Sequence, residues 1–316
     1  MDDVATPGSP YSSVFLDSKA PHLVFFGWKV VYECHGLRVL EKRRGPFVRS
    51  LALFSNADGP TAFDRWCTDS INGSAMRDIV IHDFVGQADV ASRRFGGRPF
   101  NLLRGSGRLL NAATFVLDLR QSPADLLQAM TADYRRKIRR AEQSGVRVSV
   151  YDTPSEDLLV AFAAAYASMA TANGLNAFDS ASLRRMYAQK RALLFVAETE
   201  GQMSNFLHVY LGTTTGLFMY GVNPIKDNSG VGHLLQWRAM EALRERGYQW
   251  YDMGGVPSLD PSNGIFTFKA RFGGELVKLG AEWRFSGVAV RAILKLRRYY
   301  SSVGRERRGE SPQAAI

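Results

Sequence analysis

The sequence holds two cysteines in 316 residues, Cys34 and Cys67. That is too few for a disulfide framework, and neither lies in a Cys-x-x-Cys pair that would bind zinc or run thiol redox chemistry. Histidine is scarce too. His22, His35, His82, His208 and His233 show no metal-ligand spacing, so no metal site is expected. Cys34 adjoins His35, but neighbours on a strand point to opposite faces and the imidazole is not placed to take the thiol proton. The longest apolar run, Leu158 to Ala170, is Ala-rich and interrupted by Ser168. It falls short of the roughly 18 residues of a spanning helix. The opening Met1-Asp2-Asp3-Val4 lacks the basic-then-apolar pattern of a signal peptide, so a soluble cytoplasmic protein is expected. Also absent are the phosphate-loop Gly-x-x-x-x-Gly-Lys-Ser/Thr, His-Glu-x-x-His and Gly-x-Ser-x-Gly patterns, which removes the usual signals of three enzyme classes. No repeat of solenoid period and no heptad run is present.

What is abundant is positive charge: 40 Lys and Arg stand against 30 Asp and Glu, a formal net charge of +10. Nucleic acid, phosphate and anionic lipid all fit that sign. To about Asp118 the chain reads as short strands broken by turns, with Val24–Tyr32, Leu37–Leu40 and Asp78–His82 the clearest. Phe115–Leu119 is a further strand, and Ser122-Pro123 starts a helix by the cap-then-proline signal. That helix is expected to run through Ile138 and Ala141 to Gly145, before a strand at Val146–Tyr151. Helices from Ser155 and at Ala181–Lys190 precede strands at Leu193–Glu198, Asn205–Thr213 and Leu217–Val222. Glu200-Gly201 fits a two-residue hairpin turn. A helix at Gly232–Arg246 then leads to a strand at Tyr248–Met253. Antiparallel strands followed by a crossover helix and another strand make an α+β pattern with mixed sheets.

The residues that carry chemistry concentrate near the carboxyl end. Trp250-Tyr251-Asp252-Met253-Gly254-Gly255 ends a strand in two glycines, which permit positive φ and close backbone approach to a ligand. In the following Gly264–Glu275 block, Phe266, Phe268 and Phe272 bracket Lys269 and Arg271, setting cations beside apolar walls. The plain alternative is a packed strand end with charges at its rim.

These blocks resemble the signature of the FemXAB aminoacyltransferases. The likeness extends to Phe115–Leu119, Tyr134–Glu142 with Gly145-Val146, Phe195–Glu198 with Gly201, and Arg44-Gly45-Pro46. It covers roughly residues 33–281. It implies two GNAT-like acyltransferase domains: 1–113, completed by about 281–304, and 114–280, followed by a basic tail at 305–316. With no heptad run, this is the form without the coiled-coil arm. It implies transfer of an amino acid from aminoacyl-tRNA to an amine of a peptide acceptor, without metal or redox cofactor. Acceptors in view are a peptidoglycan precursor, lipid-linked forms included, and a small peptide or nucleoside-peptide of secondary metabolism.

Carried onto this chain, the family lysine falls on Lys269, where a fixed cation would stabilise the oxyanion of ester aminolysis. Asp83, ending Ile79–Asp83, matches a family aspartate that positions or deprotonates the amine; a turn-initiating Asp is the alternative. Phe218 and Tyr220 match acceptor-channel aromatics, while Phe268, Gly254, Gly255 and Arg271 complete the substrate-binding set. Phe178 stands where relatives acting on nucleotide-linked precursors carry a phosphate-binding arginine, and a ring cannot bind diphosphate by charge. Arg135, Arg136, Lys137, Arg139 and Arg140 spread cations around a helix and are the expected tRNA contacts; a solvated face is the alternative. The tail adds Lys295, Arg297, Arg298, Arg305, Arg307 and Arg308.

Two other readings stay open. Gly230-Val231-Gly232-His233 opens a helix and resembles the GNAT pyrophosphate loop, which would make the protein a coenzyme A-dependent N-acyltransferase. A noncatalytic RNA-binding module accounts for the charge but not for the Phe268-Lys269 block.

Overall fold

A computed structural model describes residues 11–17, 22–70, 75–87, 90–172, 178–223, 229–293 and 295–296. They fall into two compact units, Trp28–Leu109 with Gly280–Ile316, and Met1–Gly27 with Leu110–Leu279. Each is α+β and is built on one mixed seven-stranded sheet.

The first unit runs β1 (Lys29–Cys34), β2 (Leu37–Arg44), β3 (Phe47–Phe54), α1 (Gly59–Ser70), β4 (Arg77–Asp83), β5 (Ser92–Phe95) and β6 (Arg98–Leu102). The late strand β14 (Ala281–Ser286) enters between β4 and β6, giving the order β1-β2-β3-β4-β14-β6-β5. The α1 crossover makes β3 and β4 parallel, while the other pairs of this sheet are antiparallel. Phe63 and Trp66 of α1 pack on Phe54, Phe95, Phe100 and Trp283 to form its core.

The second unit contains β7 (Ala113–Asp118), α2 (Pro123–Ala129), α3 (Ala132–Gln143), β8 (Arg147–Tyr151), α4 (Glu156–Ala172), α5 (Ser180–Ala188), β9 (Ala192–Thr199) and β10 (Gln202–Leu211). It continues through β11 (Thr215–Val222), α6 (Val231–Glu245), β12 (Trp250–Val256), α7 (Gly264–Ala270) and β13 (Glu275–Lys278). The sheet order is β13-β7-β12-β11-β10-β9-β8. Both faces are covered. Leu193, Phe195 and Ala197 of β9 join the core under α3 and α6, and Leu194 and Val196 join the core under α4 and α5. Strand alternation thus explains why β9 reads as one continuous apolar run. Glu200 and Gly201 both take positive φ, 53° and 77°, as a tight hairpin between β9 and β10 requires.

Three expectations from sequence change. The stretch read as a strand from Val24 opens with a 3-10 turn, His22–Phe26, before β1. Residues 11–17 and 22–27, expected with the first domain, join the second unit. There Val14 and Phe25 enter the α4–α5 core, and Asp17 accepts from the Thr213 N–H and hydroxyl at 2.5 and 2.8 Å. The helix read from Pro123 to Ala141 is two helices. Met130 and Thr131 are extended, the Thr131 N–H donates to the Arg271 carbonyl at 3.1 Å, and the Arg135 guanidinium takes up the Gln128 carbonyl at 3.0 Å and that of Met130.

Candidate active site

The site is organised by the way β12 leaves the sheet. It pairs with β11 in parallel from Thr215↔Trp250 to Leu217↔Asp252, and its register against β7 shifts between Asp252 and Gly255. At that break Gly254 has φ +73°, and an added Cβ would stand 2.6 Å from the Phe218 carbonyl oxygen. Handedness and space both require glycine there. The neighbouring Gly255 abuts the Asn111 side chain.

Facing this turn is α7, which sequence reading did not identify as a helix. Asn263 caps it, accepting from the Ile265 and Phe266 N–H groups at 3.0 and 3.2 Å. Its last turn carries Lys269, only 7% exposed, which overturns the reading of a solvated rim lysine. Nζ donates to the Gly254 and Gly255 carbonyls, each at 2.8 Å, and sits 5.6 Å from the Phe218 ring centroid. Burial pushes the Lys269 pKa down to about 8, against the opposing pull of Asp252. The group is still mostly a cation at neutral pH.

Phe218 also lines a cavity of about 220 Å³, together with Phe268, His233, Asn205, Gln236 and the Gly230–Gly232 opening of α6. Gly230 has φ +85°, and an added Cβ would lie 2.2 Å from the Lys137 carbonyl oxygen, so the cavity rim rests directly on the basic helix α3. The His233 ring packs edge-on against Tyr134 at 4.3 Å and Phe268 at 5.5 Å. Burial, then nearby Lys137, lowers its pKa to about 4, so this wall is neutral at pH 7. Among the described residues, no group of three His, Cys, Asp or Glu side chains is placed to hold a metal ion.

The structure therefore brings together Lys269, Gly254, Gly255, Phe218 and Phe268. It separates Phe218 from Tyr220. In the β10–β11 pairing, Val209 faces Phe218 and His208 faces Tyr220, leaving Met219 as a bulge residue. The extra residue turns the two aromatics into different cores. Tyr220 meets Phe178 at 5.1 Å, and both pack on Tyr166. Asn173 to Ala177 lie outside the described residues. Arg271 is the exposed C-cap of α7.

On α3, Tyr134, Ile138 and Ala141 are buried and the cations take the remaining circumference. They do not act alike. Arg135 caps α2, Arg136 and Lys137 pair with Asp133 at 2.6 and 3.1 Å, and Arg139 and Arg140 are exposed. Of the tail cations, only Lys295 lies within the described residues.

Asp83, in the first unit, is 3% exposed. Its Oδ1 accepts from the Val85 and Gly86 N–H groups at 3.2 and 2.8 Å, so it does anchor a turn. Burial raises its pKa. The Tyr11 and Thr114 hydroxyls, which donate to the Asp252 carboxylate of β12, and Gln236, whose Oε1 accepts from the Tyr251 hydroxyl, are not legible in the sequence, because isolated polar residues carry no spacing signal.

Two mixed sheets flanked by helices make a tandem GNAT-like fold. Residues 128–270 match the Acetyltransferase (GNAT) domain family. The fold as a whole is FemX-like. The crystal structure of FemX superposes with a TM-score of 0.67 at 16% identity, covering 92% of this chain and 95% of that one. The carboxyl-terminal domain of a putative lysylphosphatidylglycerol synthetase from Agrobacterium fabrum gives 0.56 at 15% identity, covering 88% and 91%. L-PGS from Bacillus licheniformis gives 0.56 at 15%, covering 84% and 87%. No curated protein sequence matches this chain. No helix among the described residues is long and apolar enough to cross a membrane.

Proposed function

We propose that this protein moves an amino acid from aminoacyl-tRNA to the amine of a peptide acceptor. One observation carries the reading: a buried lysine ammonium, fixed by the Gly254 and Gly255 carbonyls, lies against an aromatic wall of a cavity whose rim rests on the cationic helix α3. A polyanionic carrier running along α3 would bring its esterified end to that cavity. The acceptor nitrogen attacks the ester carbonyl and forms the C–N bond. The carbonyl electrons move onto oxygen, then return as the C–O bond to the tRNA ribose breaks, and the amine proton leaves with the freed hydroxyl. Lys269 stabilises the oxyanion, an effect worth roughly 10²–10³ in rate for one well-placed donor. The FemX likeness supports the donor class, and Phe178 in its aromatic cluster supports an acceptor that is not bound through a diphosphate at that point.

The test is a panel of charged tRNAs incubated with lipid-linked muropeptides and small peptide amines, read by mass. New amide products that vanish after ribonuclease treatment are expected. The glycine-opened N-terminus of α6 favours a second reading, acyl transfer from coenzyme A. Ribonuclease-insensitive transfer from acyl-CoA would establish that reading instead.

A further inference from the structure

The carboxylate of Asp252 has no part in the chemistry above, yet it is built into the site. It is 2% exposed on β12, and leaving a carboxylate buried costs several kcal/mol unless it is thoroughly partnered. Three donors from three parts of the second unit converge on it. The Tyr11 hydroxyl reaches Oδ2 at 2.5 Å, the Thr114 hydroxyl on β7 reaches Oδ1, and the Gly254 N–H reaches Oδ1 at 2.8 Å. The last bond spans two residues and closes a turn of the kind Asp side chains make with their own backbone. It is this turn that gives Gly254 its left-handed φ and aims the Gly254 and Gly255 carbonyls at Lys269 Nζ.

We propose that Asp252 is a positioning residue for Lys269, fixing the turn that clamps the ammonium and supplying its buried counter-charge, and that Tyr11 of the amino-terminal segment completes this arrangement. The other titratable groups nearby are committed elsewhere. Tyr251 gives its hydroxyl to Gln236 Oε1 at 2.6 Å, Tyr134 on α3 gives its own to the Phe268 carbonyl at 3.2 Å, and Arg120, over the Trp250 ring, pairs with Asp118 at 2.6 Å. Tyr11 itself packs edge-on against Trp250, with centroids 6.1 Å apart, which holds the hydroxyl in place.

The effect on turnover rests on the proposed role of Lys269; the effect on Lys269 itself does not, so ionisation is measured directly. In the full chain labelled with ¹⁵N-lysine, the Lys269 ammonium is titrated by NMR, its signal assigned by loss in Lys269→Met. Asp252→Asn keeps a carbonyl acceptor for Thr114 and Gly254 but removes the charge. Its Lys269 midpoint is expected to fall by about one pH unit, because Asp252 is the charge that opposes the effect of burial on Lys269. Tyr11→Phe should move it the same way by less, because the carboxylate loses a donor that favours its charged form, and should lower kcat with KM unchanged. If Asp252→Asn does not fold, Tyr11→Phe and Thr114→Val carry the test. A role in stability alone would lower Tm and leave the midpoint in place, and unchanged midpoints in folded variants would overturn the proposal. Shifted midpoints in a protein that transfers nothing from charged tRNA would uphold the positioning role while refuting the proposed reaction.

Discussion

At the scale of single residues, Lys269 makes opposite predictions for its two conceivable roles. With a pKa of about 8, a lysine acting as cation gives a rate that declines as pH rises through 8, whereas one acting as base gives a rate that climbs there. The cation role predicts the decline, read from single-turnover rates between pH 6.5 and 9.5. Stability follows the same shift with its own sign. The folded-state pKa lies below the ordinary 10.5, so between about 8 and 10.5 the unfolded chain binds the extra proton and stability rises with pH. The difference in stability between wild type and Lys269→Met, which cancels the other titrating groups, should therefore rise with pH across that window in chemical denaturation. Removing the side chain also strips two carbonyls of their donor, at a cost of about 1–3 kcal/mol, so Lys269→Ala is not structurally silent. Gly254→Ala is worse, since it combines a left-handed φ with a Cβ set 2.6 Å from the Phe218 oxygen. A loss of more than about 2 kcal/mol in chemical denaturation is expected. Asp83→Asn keeps an acceptor for the turn N–H groups, so a base role predicts a fall of ~10²–10⁴ in turnover, and a turn role predicts none.

At the scale of elements, α3 divides its charges between structure and surface. Arg135 holds the end of α2; Arg135→Ala should destabilise the fold by about 1–3 kcal/mol. Arg139 and Arg140 are exposed. Replacing Arg139 with alanine should leave Tm unchanged while weakening tRNA binding and flattening its salt dependence by about one unit of slope for the phosphate no longer neutralised, as measured by filter binding across a salt series. The same element shows how far sequence carries. The 3.6-residue spacing of Tyr134, Ile138 and Ala141 identifies a helix with one buried face, but not the break at Met130–Thr131, which depends on the Arg271 carbonyl far along the chain. Strands β9 to β12 were legible because apolar runs and the Glu200-Gly201 turn are local signals. The bulge at Met219 was not, and it alone moves Tyr220 away from Phe218. The paired glycines and Phe268-Lys269 were legible as a block. That Lys269 is buried was not, because its acceptors are backbone carbonyls.

At the scale of the molecule, a net charge of +10 admits several polyanions, and the second unit supplies a reason to choose among them: a basic helix and a neutral, aromatic-walled cavity share one rim. A GNAT-like fold names neither reaction nor donor by itself, so the donor of the proposed transfer is the point to test. The most direct measurement follows a single turnover from a radiolabelled aminoacyl-tRNA pool to an amine acceptor, for wild type and Lys269→Met. The account predicts an amide product from wild type that ribonuclease abolishes, formed about 10²–10³ times more slowly by Lys269→Met. Equal rates for the two proteins, or product formed from acyl-CoA after ribonuclease, would contradict it.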